Sequence, residues 1–564
     1  MRRDLWVLAD RPFDMIVIGA GIHGAAIARR GAQHGLSVAL IDRGDFGGGT
    51  SANSLKVLHG GLRHLQHGDF LGLRASIVAR RRWFRMAPHL VSPCGFVTPS
   101  YGHGRHSSMV FRAALAINDL VGVDRNRGVC ASSRIEAGRI ISREQLLRIA
   151  PGLRRRPLTG GAVWFDGLVW NTERMTLAFV LSAAADGACV VNYVRATEYR
   201  IAKGRVIGIF AADTISGEKF VVQGRTVINA TGPWRDELRF PTASVENDSG
   251  DFGWAKAVNV VVGKGVFQDY AVGLPAGFAV GSERAIGERP DRFYFFIPWR
   301  GKTMIGTTYR WVGSDKSRGS VTVSEVEDIV RVANSVYPEA EISMEDVIFT
   351  HAGLLPAVRR ARGQAEDIRL LRHDRIQAAP RGLITVSSVK YTGAISTADC
   401  VVKSVMKEIG WDGRRLRGDG VIWGGEPMAE DVPCVQELSA PLRRDQREHL
   451  RRTYGSKYHL VLEYLGADAS GALPLSEGSP HICAEVLHAI RREMALRLED
   501  VIFRRIDLGT HGYPGRDAIE SCAAIMAREL GWSMHRCREE VERVEKGFRS
   551  RCMAIRPGAD QHDP

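Results

Sequence analysis

The sequence predicts an α/β fold in three parts: a Rossmann-like domain on a parallel sheet, antiparallel strands inserted into it, and a C-terminal helical domain. Three observations point there. Residues 14–42, DMIVIGAGIHGAAIARRGAQHGLSVALID, read as strand, glycine-rich turn, helix and strand. A second apolar strand of the same kind ends in Asn229-Ala230-Thr231-Gly232. From about residue 441 to 550 the apolar pattern is helical. The 564 residues also exceed what one hydrophobic core supports, so two or three domains are expected.

Met15–Ile18 is apolar throughout, as a strand covered on both faces requires. Gly19-Ala20-Gly21-Ile22-His23-Gly24 is a GxGxxG. Gly19 permits the tight turn, Gly21 lets a pyrophosphate approach the backbone, and Gly24 lets helix and strand pack closely. The helix N-terminus offers free N–H groups to phosphate. His23 is expected to be exposed in the first helical turn. Asp42, ending the strand Val38–Ile41, is placed to hydrogen-bond a ribose hydroxyl. The late return at 227–236, VINATGPWRD, suits an FAD-binding domain of the glutathione-reductase type, which comes back to its cofactor after an insertion.

NSLKVLHGGLRHLQ, residues 53–66, sets Lys56, His59 and Arg63 around Gly60-Gly61. Glycines permit close approach of a flat or anionic ligand. Farther on, 161–193 predicts a strand and turn at Phe165-Asp166-Gly167, then a helix from about Thr172 to Ala185. DRFYFFIPW and KTMIGTTYRW suit antiparallel strands. The discontinuous cofactor domain is assigned 12–75, 150–235 and 348–410, and the substrate or cap domain 76–149 and 236–347. A linker follows at 411–440 and a helical domain at 441–550. Within 484–505, Val486, Ile490, Met494, Leu498, Val501 and Ile502 fall on one helical face. The tail RPGADQHDP is expected to be disordered.

No signal peptide or apolar run long enough to span a bilayer is read. Nine cysteines without a CxxC argue against a disulfide framework or zinc site and for a cytoplasmic setting. The net charge of +14 suits anionic partners, namely phosphorylated substrate or acidic lipid. ARRRWFR (79–85) is the one basic run with interleaved aromatics, and no nucleic-acid partner is expected from it.

Several ordered blocks resemble the FAD-dependent glycerol-3-phosphate dehydrogenases and oxidases. GTSANSLKVLHGGLRHLQ is similar to that family's GTSxxSxKxxHGGLRYLE, NATGPWRD to NATGPWxD, and FIPWRGKTMIGTT to IPWxxxTxIGTTD. AEVLHAIRREMALRLEDVIFRR resembles the start of its C-terminal domain. The resemblance implies oxidation of a secondary alcohol, glycerol 3-phosphate or a related polyol phosphate, with hydride transfer to flavin N5. Electrons would pass to a quinone, with peripheral attachment to the inner face of the cytoplasmic membrane. An oxidase of a hydroxy acid or amine using oxygen, or a flavoprotein without turnover, are the alternatives.

Cofactor contacts are expected from Gly19, Gly21, Gly24, Asp42, Thr50, Ser51, Lys56, Gly60, Gly61, Gly232 and Thr392. Catalytic positions are expected at His59, Arg63, Lys390 and Asn259, and substrate contacts at Arg174, Lys256, Arg310 and Arg359. No metal is expected. The chain departs from the family pattern where KGSH reads Lys256-Ala257-Val258-Asn259, because asparagine cannot serve as a base near neutral pH. Leu355 stands where GVRPL has an arginine, GGKLTTYR reads SVKYTGAIS, and GTTD ends in Tyr309. The changes gather at positions expected around substrate, as in a flavin enzyme with an altered substrate pocket.

Overall fold

The computed structural model describes residues 1–238 except 103, 105 and 154–156, then 252–275, 293–315, and 319–411 except 363, 364 and 372. It also describes 413, 418–428, 442–466 and 470–552. The C-terminal tail and residues 429–440 of the expected linker lie outside the described residues.

The first sheet is built on β1 (Phe13–Ile18), buried at every position but Asp14. β1 pairs in parallel with β2 (Val38–Ile41) and β10 (Lys219–Asn229). The parallel order extends to β7 (Cys189–Val191) beyond β2 and to β18 (Leu383–Ser387) beyond β10. β17 (Arg375–Gln377) runs antiparallel at the edge, and the hairpin β8 (Val194–Ala202)–β9 (Arg205–Asp213) joins β10. Alternation along β1 feeds two cores. Met15 and Val17 pack with helices α2 (Ile22–Gln33), α6 (Thr172–Ala185) and α8 (Ala394–Ile409). Ile16 and Ile18 pack with the hairpin and with Leu8 of α1 (Leu5–Asp10).

Among the described residues the second sheet has ten strands. They are β3 (Val57–Leu58), β4 (Val91–Tyr101), β5 (Arg139–Ser142), β6 (Leu158–Val169), β11 (Phe252–Val262), β12 (Tyr270–Pro275), β13 (Phe293–Trp299), β14 (Lys302–Gly313), β15 (Val347–Arg362) and β16 (Ala365–Leu370). Only the β4–β12 pair is parallel among them. Val258, Val260 and Val262 pack under α5 (Arg143–Ile149) and α7 (Val323–Val336), while Val261 meets the C-terminal helices.

This pairing redraws two domain boundaries. β6 and β15–β16, placed by sequence in the cofactor domain through 150–235 and 348–410, belong to the second sheet. Their apolar runs look alike in either sheet, and only the partner strand distinguishes them. Phe165-Asp166-Gly167 makes no turn but lies inside β6, paired with Pro93–Gly95 of β4.

The C-terminal part consists of α9 (Arg444–Tyr454), α10 (His459–Leu462), α11 (Cys483–Glu493), α12 (Leu498–Asp500), α13 (Arg516–Leu530) and α14 (Met534–Arg551). The face expected across 484–505 is buried except at Ile490, which is half-buried, and it does not lie on one helix. Met494 takes a left-handed conformation (φ 55°), ending α11, and a new axis starts at Leu498. Residues 418–428 of the linker are tied down: Arg29 donates to the carbonyls of Asp419 and Val421, Arg82 pairs with Asp419, and Ile422 is buried.

Two further helices flank the space between the sheets, α3 (Phe70–Met86) and α4 (Ser108–Val121). On α4 only Leu115 is buried; Met109 is 79 % exposed and Leu120 77 %, with Val123 just beyond at 83 %. Phe70 and Leu71, opening α3, are exposed as well. No helix of the described residues is long and apolar enough to cross a membrane.

Candidate active site

A cleft of about 2250 Å³ runs between the two sheets. At one end it is lined by the β1–α2 turn. Gly19 sits at φ 96°, and a Cβ there would meet the Ala230 carbonyl at 2.7 Å. A Cβ on Gly24 would stand 1.8 Å from the Gly19 oxygen, so no larger residue allows α2 to meet β1 this closely. Gly21 caps α2 without a side chain, which leaves the helix N-terminus open to an anion. The Ser51 hydroxyl accepts the Ile22 N–H at 2.9 Å and ties the 47–54 loop over that turn. Asp42 accepts the Ala20 and Gly44 N–H groups at 2.7 and 3.0 Å, while burial raises its pKa above the usual carboxylate value. The 47–54 loop is pinned to the second sheet: the Thr50 hydroxyl donates to the Leu354 carbonyl (3.1 Å) and accepts its N–H (3.2 Å).

The opposite end carries the chemistry-bearing side chains. His59 Nδ1 is 3.3 Å from Asp166 Oδ2, and its ring is half exposed to the cleft. Asp166 is buried. It is held by the Arg80 guanidinium and by the Gly60 N–H at 2.6 Å. Burial pushes its pKa up, but Arg80, His59 and the Gly60 N–H together hold it below the ordinary value. Lys390 Nζ donates to His64 Nε2 at 3.1 Å, and His64 Nδ1 meets Asp69 Oδ2 at 2.7 Å. Burial lowers the Lys390 pKa, helped by Arg63 and opposed by Asp374 and Asp69. Asn259 accepts the Thr307 hydroxyl at 2.6 Å.

Of the positions expected from sequence, Gly19, Gly21, Asp42, Thr50, Ser51, His59, Gly61, Arg63, Gly232, Asn259, Lys390 and Thr392 line this cleft. Gly24 and Gly60 lie behind its wall. Gly60 makes room for Arg80, whose Nη1 would be 2.1 Å from a Cβ there. The expectation for Lys56 is corrected: its ammonium points inward, fully buried, and pairs with Glu173 at 3.0 Å. None of the four expected substrate cations lines the cleft. Arg174 is buried against Glu493 and stacks on Tyr454. Lys256, three residues from Asn259 on β11, faces the other side of the strand and pairs with Glu325 at 2.8 Å. Arg310 is half exposed and pairs with Asp328 at 2.6 Å, and Arg359 lies exposed on β15 beyond the cleft. Nor is His23 simply exposed, since it lines the cleft with its Nε2 buried. The basic run at 79–85 is largely spent on acids: Arg80 on Asp166, Arg81 on Asp124, Arg82 on Asp399 and Asp419.

Sequence reasoning missed Asp166, Arg80, His64 and Asp69. His64 had a signal, since the resembling family has tyrosine after HGGLR. Asp166 and Arg80 had none, because their pairing depends on how α3 crosses β6.

A glycine cradle no side chain could share, a helix N-terminus open to phosphate, and a second sheet closing the far end define a dinucleotide-dependent oxidoreductase of the flavin type. Residues 14–398 match the family model of FAD-dependent oxidoreductases, and 421–537 match the C-terminal domain of α-glycerophosphate oxidase. A glycerol-3-phosphate dehydrogenase of Synechocystis sp. is 31 % identical over 97 % of this chain and 98 % of its own. The mitochondrial enzyme of Macaca fascicularis is 28 % identical over 96 % of this chain and 74 % of its own. The structure of the Bacillus halodurans glycerol-3-phosphate dehydrogenase with FAD superposes with a TM-score of 0.74 at 23 % identity, covering 98 % of both chains. The chain belongs to the FAD-dependent glycerol-3-phosphate dehydrogenase family.

Proposed function

We propose that the protein oxidises the secondary alcohol of a polyol phosphate, of which glycerol 3-phosphate is the leading case, and that His59 is the base. The observation that carries this is the chain Arg80–Asp166–His59 ending in the cleft. Asp166 accepts the hydrogen bond of the Nδ1–H, which fixes the tautomer and leaves Nε2 free to accept the proton of a substrate hydroxyl. FAD, bound by the glycine cradle, supplies the hydride acceptor. Arg63 and Lys390 give the same end of the cleft two cations for the phosphate. Leu355 contributes an apolar surface in the arginine's place, at a cost of about 2 kcal/mol in phosphate binding. Asn259, engaged with Thr307, shapes the wall and takes no proton.

The test is anaerobic mixing of the FAD-loaded protein with glycerol 3-phosphate. We expect flavin bleaching, slowed about 10²–10⁴-fold in His59→Asn with FAD content unchanged. Bleaching that is absent, or indifferent to His59, rejects the reading.

The electron acceptor belongs to the same proposal. The outward apolar stripe Met109, Ile117 and Leu120 on α4, continued by Val123 just beyond it and with Arg112 beside it, suits an interfacial helix lying on an anionic bilayer. Val110 and Phe111 of that helix line the cleft, so a lipid-borne quinone fits as acceptor. Quinone-analogue reduction without stoichiometric peroxide supports this, and peroxide as the main product rejects it.

A further inference from the structure

We propose that His64, oriented by Asp69, is a positioning residue that holds the Lys390 ammonium in place at the cleft wall. The inference rests on reading that wall as the substrate's anionic end. Lys390 has a long stem that costs about 2 kcal/mol of rotamer freedom to immobilise on ligand binding. A partner that fixes it beforehand removes much of that cost from binding.

The geometry meets each requirement. Asp69 caps α3, accepting the Gly72 N–H at 2.8 Å, so its carboxylate is fixed by the helix. Its other oxygen accepts the hydrogen bond of the His64 Nδ1–H at 2.7 Å. That leaves the Nε2 lone pair as acceptor, and Lys390 Nζ donates to it at 3.1 Å. Ser76 Oγ is 3.4 Å from the same nitrogen, and Arg63, His373 and Asp374 are the other charged or titratable groups nearby. Two stretches distant in sequence, 61–76 and 388–393, meet at this contact. Tyrosine, which the resembling family carries here, has no pair of ring nitrogens, one to face Asp69 and the other Lys390, so this Asp–His–Lys chain follows from the substitution this chain carries.

The experiment compares wild type, His64→Phe and His64→Gln as FAD-loaded full chains. Acetylation of Lys390 by acetic anhydride at pH 8 is followed by peptide mass spectrometry, with exposed Lys203 as internal reference. Loss of the acceptor destabilises the ammonium, so His64→Phe is expected to acetylate Lys390 at least about 3-fold faster than wild type. Glutamine, whose Oε1 still accepts, is expected to stay within 1.5-fold. In turnover, His64→Phe is expected to raise KM 5- to 10-fold with kcat within 2-fold, and His64→Gln to restore KM. An unchanged acetylation rate in His64→Phe, or a glutamine variant as altered as the phenylalanine one, overturns the proposal. If wild type oxidises no polyol phosphate, the functional reading fails, while acetylation alone still decides the clamp.

Discussion

At the residue scale, two neighbours in one motif have opposite duties. Lys56 and Arg63 both belong to the loop that resembles the family's HGGLR block, yet Lys56 points into the protein and Arg63 into the cleft. Lys56→Met leaves Glu173 buried without its cation and is expected to cost about 3–5 kcal/mol of stability. The flavin spectrum per folded molecule should not change. Arg63→Ala is expected to do the reverse: denaturant unfolding unaltered, KM for the alcohol raised. Sequence could name the residue types of this loop but not the direction of each side chain. Lys56 has a positive φ of 61°, which no local pattern announces. The glycine cradle was legible, since Gly19 and Gly24 are dictated by backbone contacts inherent to the turn. His59 was legible as a residue, whereas its partner was not, because Asp166 lies 107 positions away.

At the element scale, periodicity was read correctly more often than context. The alternation of β13 and β14 and the helix Thr172–Ala185 are found as expected. A continuous helix through 484–505 is not, because Met494 turns left-handed, and an apolar face can pass from one axis to the next without breaking its spacing. Of the expected substrate cations, Lys256 misses the cleft for a related reason: parity along β11 places it opposite Asn259, and only the register with β14 and β15 decides which face meets the cleft. The α4 stripe carries its own prediction. Ile117→Glu with Leu120→Glu is expected to abolish sedimentation with phosphatidylglycerol vesicles while leaving flavin reduction by substrate unchanged. Undiminished sedimentation would remove α4 as the contact.

At the scale of the whole molecule, the C-terminal helices are joined to the rest through buried charge. Arg505 pairs with Asp45 at 2.7 Å, Arg174 with Glu493 at 2.7 Å, and Arg300 with Asp507 at 3.0 Å, each across a long sequence separation. Within the C-terminal part, His449 and Glu485 form a buried pair 2.9 Å apart. Burial disfavours both charges, but their mutual attraction prevails: the histidine pKa is raised and the glutamate pKa lowered. A raised histidine stabilises fully below its unfolded pKa of about 6.5, and that contribution is lost as pH rises through the folded value. A lowered glutamate stabilises above its unfolded pKa of about 4.3, and that contribution is lost as pH falls through the folded value. Thermal unfolding followed against pH should therefore show this pair's contribution greatest between those two unfolded values. His449→Gln should flatten the alkaline decline, and an identical profile in that variant would contradict the assignment. The three-part architecture was legible in advance because each part has its own periodicity. The charged seams were not, since they join residues hundreds of positions apart.

The two hydrogen bonds between Thr50 and Leu354 have a consequence for any attempt to retune which alcohol the protein accepts. Leu355 is the obvious position to vary, but the residue next to it is tied to the very loop that closes over the nucleotide turn. Displacing that stretch of β15 to admit a bulkier substrate would drag the loop with it. Selectivity and prosthetic-group affinity are therefore expected to drift together in evolved variants, and a widened pocket will tend to leak its coenzyme.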